Sequence, residues 1–174
     1  MAIVQDSFDI YPARAYEGQI ATQHRPDILS GVAVDTISFG RAVTYGIGTN
    51  GGQDVAPFAA TSTAAQVIGV SARIGNALSS TIPSVGAVAG GNTPAYYRGN
   101  EVAVLRSGAI YVRCVDGAKR GDKVSVITDA GANLGCFSTG KGVILDLAFW
   151  RDDTPAGAIG VIELNKNLVA PATK

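Results

Sequence analysis

Glu101-Val102-Ala103-Val104-Leu105 and Ala109-Ile110-Tyr111-Val112-Arg113-Cys114-Val115 stand on either side of Ser107-Gly108. Two apolar runs of this length joined by a glycine step read as the arms of a β-hairpin. The same grammar continues downstream. Asp116-Gly117 and Gly121-Asp122 mark turns, and Lys123-Val124-Ser125-Val126-Ile127 alternates polar and apolar as a half-exposed strand does. Val143 to Trp150 and Ala158 to Leu164 read as two further strands, separated by the turn-forming Asp152-Asp153-Thr154-Pro155-Ala156-Gly157.

The first half speaks the same language less clearly. Ile37-Ser38-Phe39 and Ala42-Val43-Thr44-Tyr45 bracket Gly40, Gly46 to Gly52 is a glycine-dense turn, and Val67 to Ile74 is a candidate strand. Ala59 to Gln66 is the one place with room for a short helix, since no window keeps a 3.6-residue apolar period for three turns. The halves also resemble each other. Gly40-Arg41-Ala42-Val43 leads to Gly51-Gly52, Phe58 and Val67-Ile68-Gly69-Val70, while Gly121-Asp122-Lys123-Val124 leads to Gly131, Phe137 and Ala158-Ile159-Gly160-Val161. Similarity of this kind points to two related β-units rather than to a catalytic cleft. The fold expected is mainly β, a barrel or sandwich of short antiparallel strands with little helix.

An extended N-terminal arm is expected over residues 1–36, which hold Pro12, Pro26, charges and aromatics with little sustained period. The residue before a proline is pushed out of the helical region, so Tyr11-Pro12-Ala13-Arg14-Ala15-Tyr16 reads as extended. A β-domain follows over 37–164, with its related units at about 37–74 and 101–164 and a Gly-, Ser- and Pro-rich connection at 75–100 between them. Residues 165–174 read as a solvated tail. On these boundaries, removing residues 1–36 leaves a folded core.

The chain has 174 residues, enough for one domain with its own core. Apolar residues are 47%, charged residues only 16%, well below the usual quarter, and 14 basic residues balance 14 acidic ones. A surface so poor in charge is expected to meet other protein in part. Zero net charge argues against a nucleic-acid or anionic-lipid footprint. No apolar run approaches the roughly 20 residues of a membrane span, and Met1-Ala2-Ile3-Val4-Gln5-Asp6 lacks the pattern of a signal peptide. Synthesis in a cytoplasm is the expectation, followed by life as a soluble protein or as part of an assembly.

Residues for catalysis are scarce. His24 is the single histidine, and no GxSxG elbow is present. Cys114 and Cys136 lack a CxxC spacing or a nearby histidine and read as buried free thiols. Asp152-Asp153 reads as a turn before Pro155 rather than a calcium site. Gly48 to Gly52 and Ser138-Thr139-Gly140-Lys141-Gly142 are hairpin turns, because a phosphate loop needs GxxxxGK[ST] between a strand and a helix. Lys119-Arg120 with Lys123 is offset by Asp116 and Asp122. No catalytic residue, cofactor or metal is expected. Tyrosine and arginine favour interfaces, which makes Tyr96, Tyr97 and Arg98, with Tyr11, Tyr16 and Arg25, the candidate protein-contact residues. One of the paired tyrosines can instead plug the core.

Several of these pieces in order resemble the structural cement proteins of tailed bacteriophages. They are Tyr16-Glu17-Gly18-Gln19-Ile20-Ala21, Ile37 to Val43, Ile68-Gly69-Val70-Ser71, Tyr97-Arg98-Gly99-Asn100-Glu101-Val102-Ala103-Val104, Gly108 to Val112 and Gly121 to Val124. The resemblance spans about residues 15–164. It implies a non-enzymatic virion protein on the outer face of an icosahedral head, often trimeric, whose partners are the major capsid protein and further copies of itself. It would be made in the host bacterial cytoplasm. The alternative from another class is a surface-exposed carbohydrate- or receptor-binding β-module. That module needs exposed aromatics, and the only tryptophan, Trp150, ends an apolar strand where core packing is expected.

Overall fold

The computed structural model describes residues 15–21, 25–48, 52–73 and 95–165. Twelve strands and one short 3₁₀ turn make up the described fold, in keeping with the mainly β expectation. In chain order the strands are β1 (Ile20–Ala21), β2 (Asp27–Ala33), β3 (Ile37–Ser38), β4 (Ala42–Tyr45), β5 (Asp54–Pro57) and β6 (Val67–Ser71). After them come β7 (Ala95–Tyr96), β8 (Glu101–Arg113), β9 (Lys123–Val126), β10 (Phe137–Ser138), β11 (Val143–Trp150) and β12 (Ile159–Leu164). Among the described residues the only helical turn is Ala64–Gln66, inside the window expected for one.

The expected hairpin at Ser107-Gly108 is instead one continuous strand of 13 residues, β8. Its first half pairs with β2 and β6, so Leu105 faces both Ile28 and Val70. Its second half pairs with β1 and β12, so Ile110 faces both Ile20 and Ile162. The change of partners falls at Gly108, which has φ 125°. A positive φ serves a turn and a bend equally well, and here it bends a strand that passes from one sheet into the next. The face pointing at the main core changes parity there: Ala103 and Leu105 before the bend, Ile110 and Val112 after it.

Two cores result. The pairings β8–β2, β2–β5, β5–β4, β4–β6 and β6–β8 form a closed circuit of five strands. Val43, Val55, Ile68, Val102 and Val104 fill it, together with Ile37, Phe39 and Tyr96 from around the short β3–β7 pair. The alternate residues Ala42, Val67, Val70, Ala103 and Leu105 face outward from the circuit. They pack against Val124, Val126, Phe137, Leu145, Trp150 and Ile162 of the second sheet, β10-β9-β11-β12-β8. This is why β6 is buried on both faces and reads as a continuous apolar run. Both thiols, Cys114 and Cys136, are free and buried, as expected.

Several expectations change at this level. Pairing is not wholly antiparallel, because β2 and β5 run parallel. Within the expected arm of residues 1–36, β1 and β2 are sheet strands, and β2 closes the five-strand circuit. β9 is not half exposed: Ser125 is fully buried, and its hydroxyl shares a 2.8 Å hydrogen bond with that of Ser138. Ser138 to Gly142 does not join two paired strands. β10 and β11 lie on opposite sides of β9, both opposite Val126, so this turn carries the chain across the end of β9. Gly48 to Gly52 does fall between two paired strands, β4 and β5. Asp152 to Gly157 is a turn, with Asp152 Oδ1 accepting from the Val161 amide at 3.0 Å and the Thr154 hydroxyl at 3.1 Å.

The two halves share a layout. β4 lies between β5 and β6, as β9 lies between β10 and β11, and Phe58 and Phe137 sit in the same core. The third strand separates the sequence match from the topological one. By order β6 corresponds to β11, while by sequence it matches β12, and β6 and β12 share only their pairing with β8.

Two outcomes follow from this arrangement. Removal of residues 1–36 takes away β2 and opens the circuit, so the remaining chain should show no cooperative unfolding transition by circular dichroism. Gly108→Val places a β-branched residue at a positive φ and should cost about 1–3 kcal/mol in chemical denaturation.

Candidate interaction surface

The segment entering the fold before β1 is pinned by three contacts. Gly18 donates its amide to the Tyr111 carbonyl at 2.8 Å, and its carbonyl accepts from the Arg73 amide at 2.6 Å. Gly18 also crosses Gly40 so closely that a Cβ on either would lie 2.9 or 2.8 Å from the other's amide nitrogen. With φ 81° and 67°, only glycine suits either position. Beside the crossing, Arg113 Nε donates to Glu17 Oε1 at 2.5 Å. That hydrogen bond and the carboxylate's charge raise the Arg113 pKa further above its ordinary value. Tyr16, 61% exposed, lies 4.7 Å beneath the Arg73 guanidinium. Arg73 also reaches the Phe39 ring at 5.7 Å.

Phe39 in turn packs edge-on against Tyr96, with ring centroids 4.8 Å apart. Tyr96 is 1% exposed, and its hydroxyl donates to the Ala72 carbonyl at 2.5 Å. It is a core plug and offers no surface in the isolated chain. Tyr97, the next residue, is 41% exposed at the start of a tight turn. There Asn100 Oδ1 accepts from the Tyr97 amide at 2.7 Å, and the Asn100 amide donates to the Tyr97 carbonyl at 2.9 Å. This turn presents Tyr97 and Arg98 to solvent at the C-terminal end of β2, where the Gly99 amide meets the Ala33 carbonyl.

Tyr45 and Ile47 are two exposed apolar residues that the sequence did not single out. They flank Gly46, where an added Cβ would lie 3.0 Å from the side chain of Val34, the residue after β2. The same end of the five-strand circuit therefore displays Tyr45, Ile47, Tyr97 and Arg98, with Tyr16 connected to it through Arg73, Phe39 and Tyr96. Arg25 stands apart, just before the other end of β2, and β2 is seven residues or roughly 23 Å long. Tyr11 and His24 lie outside the described residues.

A second surface feature is an open groove of about 400 Å³ lined by Gly117, Ala118, Lys119, Asp122, Asp153, Thr154 and Pro155. Its carboxylates serve the turns. Asp122 accepts from the Lys119 amide at 2.8 Å, and Asp153 accepts from the Arg120 amide at 2.9 Å and from Lys119 Nζ at 3.1 Å. The Arg120 amide, and then Lys119, hold the Asp153 pKa below its ordinary value. No cluster of three potential metal ligands occurs among the described residues. Burial pushes both the Cys114 and the Cys136 thiols up, which keeps them protonated and unreactive at neutral pH. Trp150 is buried, with Nε1 donating to the Ser138 carbonyl at 3.4 Å, so it offers no stacking face to a sugar. No described helix is long and apolar enough to cross a membrane.

No curated protein matches the chain. The fold is similar to a chain in the capsid of Myoviridae phage XM1, with a TM-score of 0.68 and 14% identity over 95% of this chain and 99% of that one. At that identity the likeness concerns the fold alone. A family model described as structural cement protein (E217 gp24/Pam3 gp6) matches residues 4–165. The chain belongs to the phage structural cement protein family.

Proposed function

We propose that this protein binds the outer surface of an icosahedral phage head and cements neighbouring major capsid subunits, acting as a trimer. Membership of the family supports the capsid role. The observation that carries the surface assignment is the grouping of Tyr45, Ile47, Tyr97 and Arg98 at one end of the five-strand circuit. Large apolar and aromatic side chains beside an arginine are the composition of binding hot spots. Tyr97 and Arg98 project from a tight turn and Tyr45 ends β4, so little ordering entropy is lost there on docking.

Cementing needs no reactive group. A protein that binds the assembled shell but not separated subunits stabilises the shell by mass action. Three linked copies multiply that effect, because the second and third contacts form at high effective concentration.

The test is co-sedimentation with empty heads, followed by heating of filled heads to release DNA. The wild-type chain should pellet with heads and raise the release temperature. Ile47→Asp and Tyr97→Ala should each weaken head binding about tenfold or more, at about 1–2 kcal/mol per side chain, while leaving the fold unchanged. Wild-type protein that stays in the supernatant would contradict the proposal.

A further inference from the structure

Among the described strands, β2 is paired along only part of its outer margin. The Ala33 amide donates toward β8, to Asn100, and the Val32 amide donates the other way, to the Gln53 carbonyl. Odd residues of β2 therefore bond to β8, and even residues face β5. β5 reaches only Val32 and Ala33. The N–H and C=O groups of Ile28 and Ser30 point the same way as those of Val32, and no described strand pairs with them there. Ile28 is 38% exposed and Ser30 is exposed. An open margin carrying an exposed isoleucine is a template for strand addition.

The chain also supplies a segment of matching character. Residues 3–10 read Ile-Val-Gln-Asp-Ser-Phe-Asp-Ile. Val4, Phe8 and Ile10 fall at even positions, which a strand puts on one face together with Asp6. Residues 1–13 carry Asp6 and Asp9 and no basic residue, whereas the start of β2 is flanked by Arg25 and Arg106 against a single Asp27. The two pieces are complementary in charge as well as in hydrogen-bonding need. Fourteen residues precede Ala15, enough to extend about 46 Å, so a neighbouring molecule's β2 is within reach.

We infer that the open margin of β2 at Ile28–Ser30 accepts residues 3–10 of a second copy of this chain as an added strand. The contact is head-to-tail, and a head-to-tail contact makes a ring when its rotation closes, as a threefold does. It accounts for the self-association in the proposed function but does not depend on capsid binding, so either reading can fail without the other.

The test uses full-length chains without capsids. Ser30→Pro removes one outward-facing N–H while leaving the β8 ladder intact, which makes an acceptor-defective variant. Val4→Asp/Phe8→Asp makes a donor-defective variant. Circular dichroism establishes that both are folded, and light scattering gives their mass. The wild type should be oligomeric, each variant monomeric, and an equal mixture of the two should form a two-copy complex, because each supplies what the other lacks. In the wild type, exchange of the Ile28 and Ser30 amides should slow about a hundredfold at 100 times the dissociation constant. A variant that keeps the wild-type mass, or a mixture that stays monomeric, overturns the inference. Protection of these amides at every concentration would put the chain's own segment there, and protection only on adding capsids would put a capsid subunit there; both outcomes also overturn it.

Discussion

The fold depends on β8 being paired along both margins in both of its halves. Glu101–Arg113 carries β2 and β6 before Gly108 and β1 and β12 after it, so one bent strand belongs to two sheets. Where partners flank both sides, at Val104–Leu105 and Ala109–Ile110, the ladder groups are satisfied in both directions, and burial of both faces accounts for the strand's nearly unbroken apolar sequence. Shifting its register by one residue would exchange the side chains of the two cores before Gly108 and turn Ile110 and Val112 out of the main core after it, which pins the register firmly. Closure of the five-strand circuit and attachment of the second sheet both follow from this strand.

With the framework closed, its connections need not supply much stability and are free to present side chains. The turn at Tyr97–Asn100 is held by its own Asn100 side chain, and Gly46 sits against Val34, so Tyr97, Arg98, Tyr45 and Ile47 are displayed from rigid supports. On the entering side, the Gly18–Gly40 crossing and the Glu17–Arg113 ion pair fix where the N-terminal chain departs. The ion pair is about half exposed on the Arg113 side, so its role is orientation more than stability.

The sequence made the β content legible, because alternation and glycine turns are local signals. It did not make the topology legible, and Gly108 shows why: a hairpin turn and a strand bend ask the same backbone freedom of the residue, and only distant partners separate them. β2 was hidden for a similar reason. Pro26, Ser30 and Gly31 break the apolar pattern, yet the lack of a side chain at Gly31 makes room for Val55 of β5. Of the two adjacent tyrosines, the buried one is decided by Phe39 and Ala72, far away in the chain. Ile47 gave no signal at all, since an apolar residue after a strand usually turns inward. The family, by contrast, was legible from short motifs in order, because the glycines that carry it mark the crossings and bends the backbone requires.

The central claim is that this chain is a cement on the outside of a phage head. An electron cryomicroscopy reconstruction of mature heads from the phage that encodes it tests this most directly. The account predicts density for the chain on the outer surface, straddling the boundary between neighbouring capsid subunits, with the end bearing Ile47 and Tyr97 against the shell. Heads whose outer surface lacks this density, or density confined to the tail or the interior, would contradict it.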